Sequence, residues 1–182
     1  MKNEEVKIDN PNEEGIGEVV VKGPNVMLGY YEDEEETKKV LKDGWLYTGD
    51  LGYFDKNGYL YLTGRKKDVI VLKNGKNVYP QEIEFLINKL PIVAENMVYG
   101  KPIRNNDLQI TAKIVYNAEA MKENYPEAKK EEYYHIIWKK IKEEINPQIP
   151  DYKHIKEIVV TDEPLIKTTT QKIKRAEEMK KM

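Results

Sequence analysis

Three short stretches of the sequence combine residue types that could bind an anionic ligand rich in hydroxyl groups. The first is Tyr47-Thr48-Gly49-Asp50, where a glycine lets the backbone come close to a ligand and a carboxylate follows it. A carboxylate can accept two hydrogen bonds from vicinal hydroxyls, such as those of a ribose. The same residues also fit an ordinary Gly-Asp turn, so this stretch taken alone leaves both interpretations open.

The second stretch places a basic turn ahead of a glycine-containing loop. Gly64-Arg65-Lys66-Lys67-Asp68 is followed by Asn74-Gly75 and then by a segment that runs to Glu84. Arg65 could hold a phosphate or ribose oxygen, because its planar fork is always charged. Gly75 could let a loop pass close to a bound ligand. The alternative is a basic surface turn followed by a hairpin and a capped helix.

The third stretch is lysine-rich and lies near the end of the sequence. It reads PLIKTTTQKIKR over residues 164–175 and contains three threonines before Lys172. A lysine on such a polar loop is suited to meet an anionic group as a point charge. Lysines in a charged tail are also commonly just solvated, and that alternative stays open.

The composition excludes several other kinds of chemistry. The 182 residues include no cysteine, so there is no thiolate nucleophile and no Cys-ligated metal, and the absence of serine excludes a Ser-His-Asp triad. The two histidines are His135 and His154, too far apart in sequence for a compact motif, so we predict no metal site. The net charge of −2 shows no bias towards nucleic acid. No long apolar run or signal-like start is present, which favours a cytoplasmic protein, and membrane-surface association is possible but not evident.

Hydrophobic periodicity and turn residues predict an α+β protein. A strand- and turn-rich first part of about 65 residues is predicted to contain a strand at 18–22, a helix at 33–42 and β structure at 45–64 around the turn at 55–58. An apolar run at 69–72 follows it, ahead of the Asn74-Gly75 turn. The remainder is predicted to alternate helices at 80–90 and 127–145 with strands at 93–99, 108–116 and 155–160, and to end in a helix or tail at 171–182. The apolar stripe of the longest helix is predicted to comprise Tyr134, Ile137, Trp138, Ile141 and Ile145.

In this order and spacing, the three stretches together resemble the adenylate-forming superfamily, which includes acyl-CoA synthetases. The resemblance extends from about Gly15 to Arg175 and is to bacterial long-chain fatty-acid–CoA ligases in particular. It implies a small β-rich subdomain, residues 1–66, followed by an α/β lid domain, residues 67–182, with a small sheet packed by helices. It also implies ATP-dependent formation of an acyl-adenylate, followed by its transfer to the thiol of CoA.

The resemblance assigns a role to six residues. Asp50 would bind the ribose hydroxyls, and Arg65 the ribose or α-phosphate region. Lys67 and Asp68 would form the hinge of the lid, and Gly75 would lie on the loop that enters the site in the thioester step. Lys172 would be the catalytic lysine, and Lys167 and Lys174 are its competitors.

One residue departs from the family pattern. The family commonly has glycine immediately before the catalytic lysine, whereas this sequence has Gln171. Glutamine resists the positive φ that glycine allows, so the conformation of this loop is expected to differ.

The resemblance also implies a missing partner. The family's large N-terminal AMP-binding domain carries a phosphate loop rich in Ser, Thr and Gly, and this sequence has no such run. We therefore expect ATP, Mg²⁺, CoA and the fatty acid to bind the intact enzyme, and none of them to bind this fragment alone. Two alternatives remain at this point: adenylation that loads a carrier-protein thiol, and a stand-alone lid-like binding module without catalysis. A basic tail that binds nucleic acid or an acidic membrane is a weaker alternative, because Glu177 and Glu178 interrupt it.

Overall fold

The structure is a computed structural model that describes residues 4–104 and 107–181. The chain forms two compact units, Met1–Val69 and Ile70–Met182. The first unit is built on one sheet and the second on a three-stranded sheet with helices, so the fold is a mixed α and β fold, as the sequence predicts.

The first unit is a five-stranded antiparallel sheet with one short helix. Its elements are β1 (Glu5–Asp9), β2 (Gly17–Lys22), α1 (Glu34–Val40), β3 (Leu41–Lys42), β4 (Trp45–Phe54) and β5 (Leu60–Arg65). The sheet has the order β1-β2-β4-β3, and β5 pairs with β4. Strand β2 lies between β1 and β4. Its consecutive residues Val19 and Val20 point to opposite faces of the sheet, and both are buried.

Local side-chain hydrogen bonds determine where the elements of this unit end. Asp33 caps α1 by accepting a hydrogen bond from the backbone N–H of Glu36 at 2.9 Å. Asp55 accepts from the backbone N–H groups of Asn57 and Tyr59 and so closes the turn between β4 and β5. The helix predicted at 33–42 is shorter than expected, because residues 41–42 form β3 against β4.

A half-buried tryptophan side chain, Trp45, lies near two lysines in the first unit. The ammonium nitrogens of Lys7 and Lys22 lie 4.0 and 5.8 Å from the ring centroid of Trp45. Such cation–π contacts add modest stability at a partly exposed position.

The second unit combines a short hairpin, a three-stranded sheet and packed helices. Its elements are β6 (Ile70–Val71), β7 (Asn77–Val78), α2 (Pro80–Ile87), β8 (Val93–Ile103), β9 (Asp107–Tyr116), α3 (Ala118–Asn124), α4 (Tyr133–Lys140), β10 (Glu157–Thr161) and α5 (Arg175–Met179). A wider helical turn, Ile141–Ile145, continues α4. The sheet order is β10-β9-β8, with β9 antiparallel to β8 and parallel to β10.

The two faces of this sheet bury separate apolar clusters. The main cluster joins α2 and α4 to the face of β9 that carries Ile110, Ala112 and Ile114, as its alternating sequence predicts. On the opposite face a smaller cluster consists of Met97, Tyr99, Val115 and Leu165, with Ile173 packed against it. The polypeptide between β10 and α5 therefore covers the face that the helices leave open.

The structure refines three predicted features of this unit. Of the apolar run at 69–72 only Ile70 and Val71 form a strand, and the helix predicted at 127–145 begins at Tyr133. Tyr133 rather than Tyr134 faces the core, since Tyr134 is 39% exposed. The terminal helix predicted at 171–182 is confined to α5, because backbone hydrogen bonds hold the residues before it in a hairpin.

Candidate functional site

The predicted site residues fall in both units, and each group is described within its own unit. In the first unit, Asp50 of β4 lies directly opposite Arg65 of β5 in the antiparallel register. Arg65 Nη1 donates to Asp50 Oδ1 at 2.6 Å, and both side chains remain partly exposed. The sequence predicted both residues as ligand-binding, and the structure brings them together.

Gly49, the residue before Asp50, needs to be glycine for two reasons. Its φ of +72° is disfavoured for side-chain-bearing residues, and an added Cβ would lie 3.3 Å from Arg65 Nη2. Thr48 Oγ1 donates to the Val19 carbonyl and accepts from the Asp50 N–H, which fixes the strand locally. The Tyr47–Asp50 motif is therefore a shaped strand segment rather than an isolated turn.

A buried glutamate, which the sequence did not suggest as a site residue, supports this arrangement. Glu18 of β2 is 8% exposed. Its carboxylate accepts from the Gly49 N–H at 3.0 Å and from Lys66 Nζ at 2.7 Å. The hydrogen bond to Glu18 raises the pKa of Lys66 above its ordinary value. A glutamate between a glycine and a run of valines in a buried strand was the available sequence signal.

The chemistry of this pair suits a hydroxyl-bearing or anionic ligand. Asp50 offers carboxylate oxygens that accept, and Arg65 offers further guanidinium donors beyond the one used on Asp50. Lys67 and Asp68, predicted as the hinge, lie in a single helical turn, Lys66–Asp68, at the end of this unit. Their role as a hinge stays a prediction.

In the second unit Gly75 forms the tip of the β6–β7 hairpin. Its φ is +79°, and an added Cβ would meet nothing within 4 Å. The Gly75 N–H donates to the Leu72 carbonyl, and Asn74 accepts from the Lys76 N–H. The tip is therefore a tight turn with open space around the glycine, and its role in a thioester step stays a prediction.

A groove of about 420 Å³ lies beside this hairpin. Its lining includes Lys73, Asp107, Tyr152, His154 and Lys156. The lining charges have mixed sign, so the groove does not by itself select an anion or a cation.

Lys172 lies on the loop of a small hairpin in the terminal segment. Lys167 and Ile173 form its bridge, and the Thr168 N–H donates to the Lys172 carbonyl at 2.8 Å. Gln171 has φ +63°, so it adopts the left-handed conformation that the sequence predicted glutamine would resist. Its N–H donates to the Thr168 carbonyl, and Thr168 Oγ1 accepts from the Lys172 N–H, so local hydrogen bonds hold the strained residue in place.

The three candidate lysines differ in their surroundings. Lys167 Nζ binds Glu95 at 2.6 Å, and Lys174 Nζ binds Glu177 at 2.9 Å. Lys172 is exposed and makes no ion pair within residues 4–104 and 107–181. Of the three, Lys172 is therefore the one whose ammonium group is available to a ligand.

Three glutamates anchor the segment that carries Lys172, and each accepts from one backbone N–H and one cation. The pairs of donors are Val98 N and Arg175 for Glu84, Leu165 N and Lys167 for Glu95, and Ile166 N and Lys113 for Glu178. Charge-assisted hydrogen bonds of this kind are stronger than neutral ones. The sequence did not suggest these anchors, since their cationic partners lie 65–91 residues away.

The described residues lack two further features that would indicate a function. They contain no group of three or more His, Cys, Asp or Glu side chains that could hold a metal ion. No helix among them is both long and apolar enough to cross a membrane.

Known structures similar to the chain are adenylate-forming enzymes. The Bacillus subtilis o-succinylbenzoate CoA synthetase MenE, bound to its acyl-adenylate intermediate, matches with a TM-score of 0.74 and 30% identity. The match covers 97% of this chain and 34% of that one. The same enzyme bound to ATP and a magnesium ion matches with a TM-score of 0.73 and 29% identity over 98% of this chain and 34% of that one.

Residues 67–182 match the AMP-binding enzyme C-terminal domain, and the chain belongs to this family. It is 49% identical over 86 residues to the long-chain-fatty-acid–CoA ligase of Bacillus subtilis (strain 168), which is 47% of this chain and 15% of that protein. It is also 49% identical over 85 residues to the 2-succinylbenzoate–CoA ligase of Bacillus cytotoxicus, 47% of this chain and 18% of that protein. The chain thus spans only a small part of the length of these relatives.

Proposed function

We propose that this chain is the C-terminal part of an AMP-forming acid–CoA ligase. Residues 67–182 act in this proposal as a lid, and residues 1–66 complete the preceding AMP-binding domain. The family assignment and the two CoA-ligase relatives support this proposal. The substrates of the intact enzyme are ATP with Mg²⁺, a carboxylic acid and CoA, and the partner of the lid is the N-terminal AMP-binding domain.

The observation that carries the proposal is the availability of Lys172 on an anchored loop. In the first step the carboxylate of the acid attacks the α-phosphorus of ATP, the bond to the β-phosphate oxygen breaks, and acyl-adenylate and pyrophosphate form. The Lys172 ammonium group offsets negative charge that develops on the reacting oxygens. Its exposed side chain, which makes no ion pair within the described residues, suits it to this task better than Lys167 or Lys174, both of which are in ion pairs.

The other site residues have supporting roles in this proposal. Asp50 accepts hydrogen bonds from the ribose hydroxyls, and Arg65 both orients Asp50 and donates to ribose or phosphate oxygen. In the second step the CoA thiol loses its proton, its sulfur attacks the acyl carbon, and AMP leaves. The chain turns at Lys67 and Asp68 between the two steps, and the Gly75 hairpin then enters the site. Lids of this kind assemble a site only when substrate is bound.

We further propose that the acid is a long-chain fatty acid, in line with the Bacillus subtilis relative. A specific observation supports a second candidate, because a 2-succinylbenzoate–CoA ligase is also 49% identical to this chain, over 85 residues against 86. Parallel assays with palmitate and 2-succinylbenzoate discriminate the two acids. A higher kcat/KM for palmitate supports the fatty acid, and the reverse order overturns it.

The catalytic assignment is tested on the chain joined to the coding region upstream of Met1. Pyrophosphate release is measured with ATP, Mg²⁺ and each acid for the wild type and Lys172→Ala. Loss of one charge aimed at the transition state is expected to lower kcat about 100- to 1000-fold. Lys174→Ala is the matched control, since it removes an exposed lysine two residues away, and it should keep activity within about threefold.

Two results would overturn parts of the proposal. If Lys172→Ala kept full activity, Lys172 would not be the catalytic residue, and another lysine would have that role. Turnover by the 182-residue chain alone, or the absence of an AMP-binding region upstream, would refute the lid assignment and favour a stand-alone module.

A further inference from the structure

Strand β8 lies at the edge of its sheet, and one of its residues is held by two charged side chains. The Val98 N–H donates to Glu84 Oε1 at 2.7 Å, and the Val98 carbonyl accepts from Arg175 Nη1 at 2.9 Å. An edge strand presents backbone groups without a neighbouring strand. Glu84 and Arg175 together supply the acceptor and the donor that such a strand would provide.

The two side chains also bind each other closely. Arg175 Nη2 donates to both carboxylate oxygens of Glu84, with a distance of 2.6 Å to Oε2. The Glu84 side chain is only 12% exposed and the Arg175 side chain 21%. Removing one member of such a partly buried pair leaves the other poorly solvated, so the pair holds its two chain segments firmly.

This pair joins two helices, each of which follows one of the two loops that carry the predicted chemistry of the second unit. Glu84 lies on α2, which begins immediately after β7, the second strand of the Gly75 hairpin. Arg175 is three residues beyond Lys172. The Lys172 loop is therefore bound to the helix that continues from the Gly75 hairpin.

Helix α2 is fixed by the main core, whereas the terminal segment is held mainly by its three glutamate anchors, of which Glu84 is one. Ile83 and Ile87 of α2 are completely buried in the main core. The terminal segment contributes only Leu165 and Ile173 to the smaller cluster, and α5 has five residues. Loss of the pair should therefore loosen the Lys172 loop and leave the Gly75 hairpin in place.

We propose that Glu84 is a positioning residue for Lys172: through Arg175 and Val98 it holds the Lys172 loop in one place for the adenylation step. This inference rests on the proposed function, but its first test does not. Glu84→Gln keeps the size and an acceptor oxygen of the side chain and removes the charge that binds Arg175.

The first test follows amide hydrogen exchange in the 182-residue chain by NMR. The Thr168 and Lys174 amides, which are hydrogen-bonded across the small hairpin, should exchange about tenfold faster in Glu84→Gln. Amides of β9 and of the β6–β7 hairpin should be unchanged. Glu177→Gln, which breaks an exposed ion pair in the same segment, is the control and should leave all of these amides unaffected. Uniform acceleration, or none, would overturn the proposal.

The second test separates the two half-reactions in the longer enzyme. Glu84→Gln should lower kcat for pyrophosphate release about 10- to 100-fold, with KM for ATP and the acid within twofold. Thioester formation from supplied acyl-adenylate should stay within threefold, because the Gly75 hairpin keeps its own anchors. An equal fall in both half-reactions indicates general destabilisation and refutes a positioning role.

A double variant makes the link to Lys172 explicit. In a Lys172→Ala background, Glu84→Gln should cause no further loss of adenylation, since the group that it positions is gone. Additive losses would contradict the proposal. If the wild-type enzyme shows no adenylation at all, the proposed function fails, and the hydrogen-exchange result still decides whether Glu84 fixes this loop.

Discussion

At the scale of single residues, Gln171 has the most strained backbone in the candidate site. Its φ of +63° would cost a glycine nothing, whereas side-chain-bearing residues pay about 1–2 kcal/mol there. Part of this is offset because glutamine loses less backbone freedom on folding than glycine does. The hydrogen bonds around Thr168 compensate for the rest, which explains how the loop keeps its form without the family's glycine.

We therefore predict that Gln171→Gly stabilises the chain by about 0.5–1 kcal/mol, measured by urea unfolding. Thr169→Gly is the matched control. Thr169 is exposed and is not in the left-handed region, so glycine there should destabilise by about 0.5–1 kcal/mol. If both substitutions changed the free energy of unfolding in the same direction, Gln171 would not be strained in solution.

The lowered pKa of the Glu178 carboxyl predicts that the free energy of unfolding depends on pH. Burial acts most strongly on this carboxyl and tends to raise its pKa, but hydrogen bonds from Lys113 and the Ile166 N–H outweigh burial and hold the pKa below its ordinary value of 4.5. The folded chain thus binds this proton less tightly than the unfolded chain. The stabilisation is present above the unfolded pKa and is lost as pH falls through the lower folded pKa.

Glu178→Gln should accordingly reduce the free energy of unfolding by about 1.5–3 kcal/mol at neutral pH. The difference from wild type should shrink as the pH falls below the ordinary carboxyl pKa and through the lower folded pKa of Glu178, because the wild-type carboxyl is then protonated as well. Urea unfolding at several pH values measures both. Glu163→Gln, at an exposed position, should change stability by less than about 0.5 kcal/mol throughout. A constant difference across this range would exclude the Glu178 titration as its cause.

Much of the candidate site could be predicted at the residue scale, because its motifs are local. Asp50, Arg65, Gly75 and Lys172 stand in short stretches whose residue types suggest ligand contact. The supporting carboxylates are different, because their role depends on cationic partners that are distant in sequence. These carboxylates belong to Glu18, Glu84, Glu95 and Glu178. Pairing of this kind depends on the fold and leaves no periodic pattern in the sequence.

At the scale of elements, Gly52 determines how closely β4 and β5 approach. A Cβ at this position would lie 2.4 Å from the Tyr61 carbonyl oxygen and 3.2 Å from Val19 Cγ2. The first of these atoms belongs to the backbone of the paired strand and cannot move aside without breaking the pairing. The glycine is therefore a requirement of the strand pair that brings Asp50 opposite Arg65.

Gly52→Ala should destabilise the first unit by about 2–3 kcal/mol and weaken the Asp50–Arg65 pair. Thermal unfolding followed by circular dichroism gives the loss of stability. Gly58→Asn tests whether any glycine substitution in the β4–β5 hairpin has this effect. Gly58 has a positive φ, which asparagine tolerates, and nothing lies within 4 Å of an added Cβ, so the cost should stay below about 1 kcal/mol. Equal losses from the two substitutions would rule out the close approach as the reason.

Elements with regular alternation were predictable, and those defined by caps or distant pairing were not. Strand β9 follows its alternating pattern, whereas α3 buries only Met121 and has no apolar stripe to indicate a helix. Asn117 starts α3 by capping the Glu119 and Ala120 N–H groups. Helix α4 has no side-chain cap of its own. It starts late because a separate short helical turn, Lys130–Glu132, precedes it.

At the scale of the whole molecule, the second unit has what an independent domain requires. Both apolar clusters of its sheet are built from residues of that unit alone. We predict that residues 70–182 expressed alone fold cooperatively, with dispersed amide resonances. Ile137→Ala in this fragment should cost about 2–5 kcal/mol, because Ile137 is fully buried in the main cluster. A collapsed spectrum without dispersion would show that this unit needs residues 1–69 to fold.

The two tryptophans of the sequence are divided between the units, Trp45 in the first and Trp138 in the second. Trp45 lies beside the ammonium groups of Lys7 and Lys22, and Trp138 packs at the margin of the main cluster. Each unit thus contains one native fluorophore with distinct surroundings. Trp45→Phe and Trp138→Phe would each leave a single tryptophan, so with selective tryptophan excitation the melting of either half of the chain can be followed optically without attaching a dye.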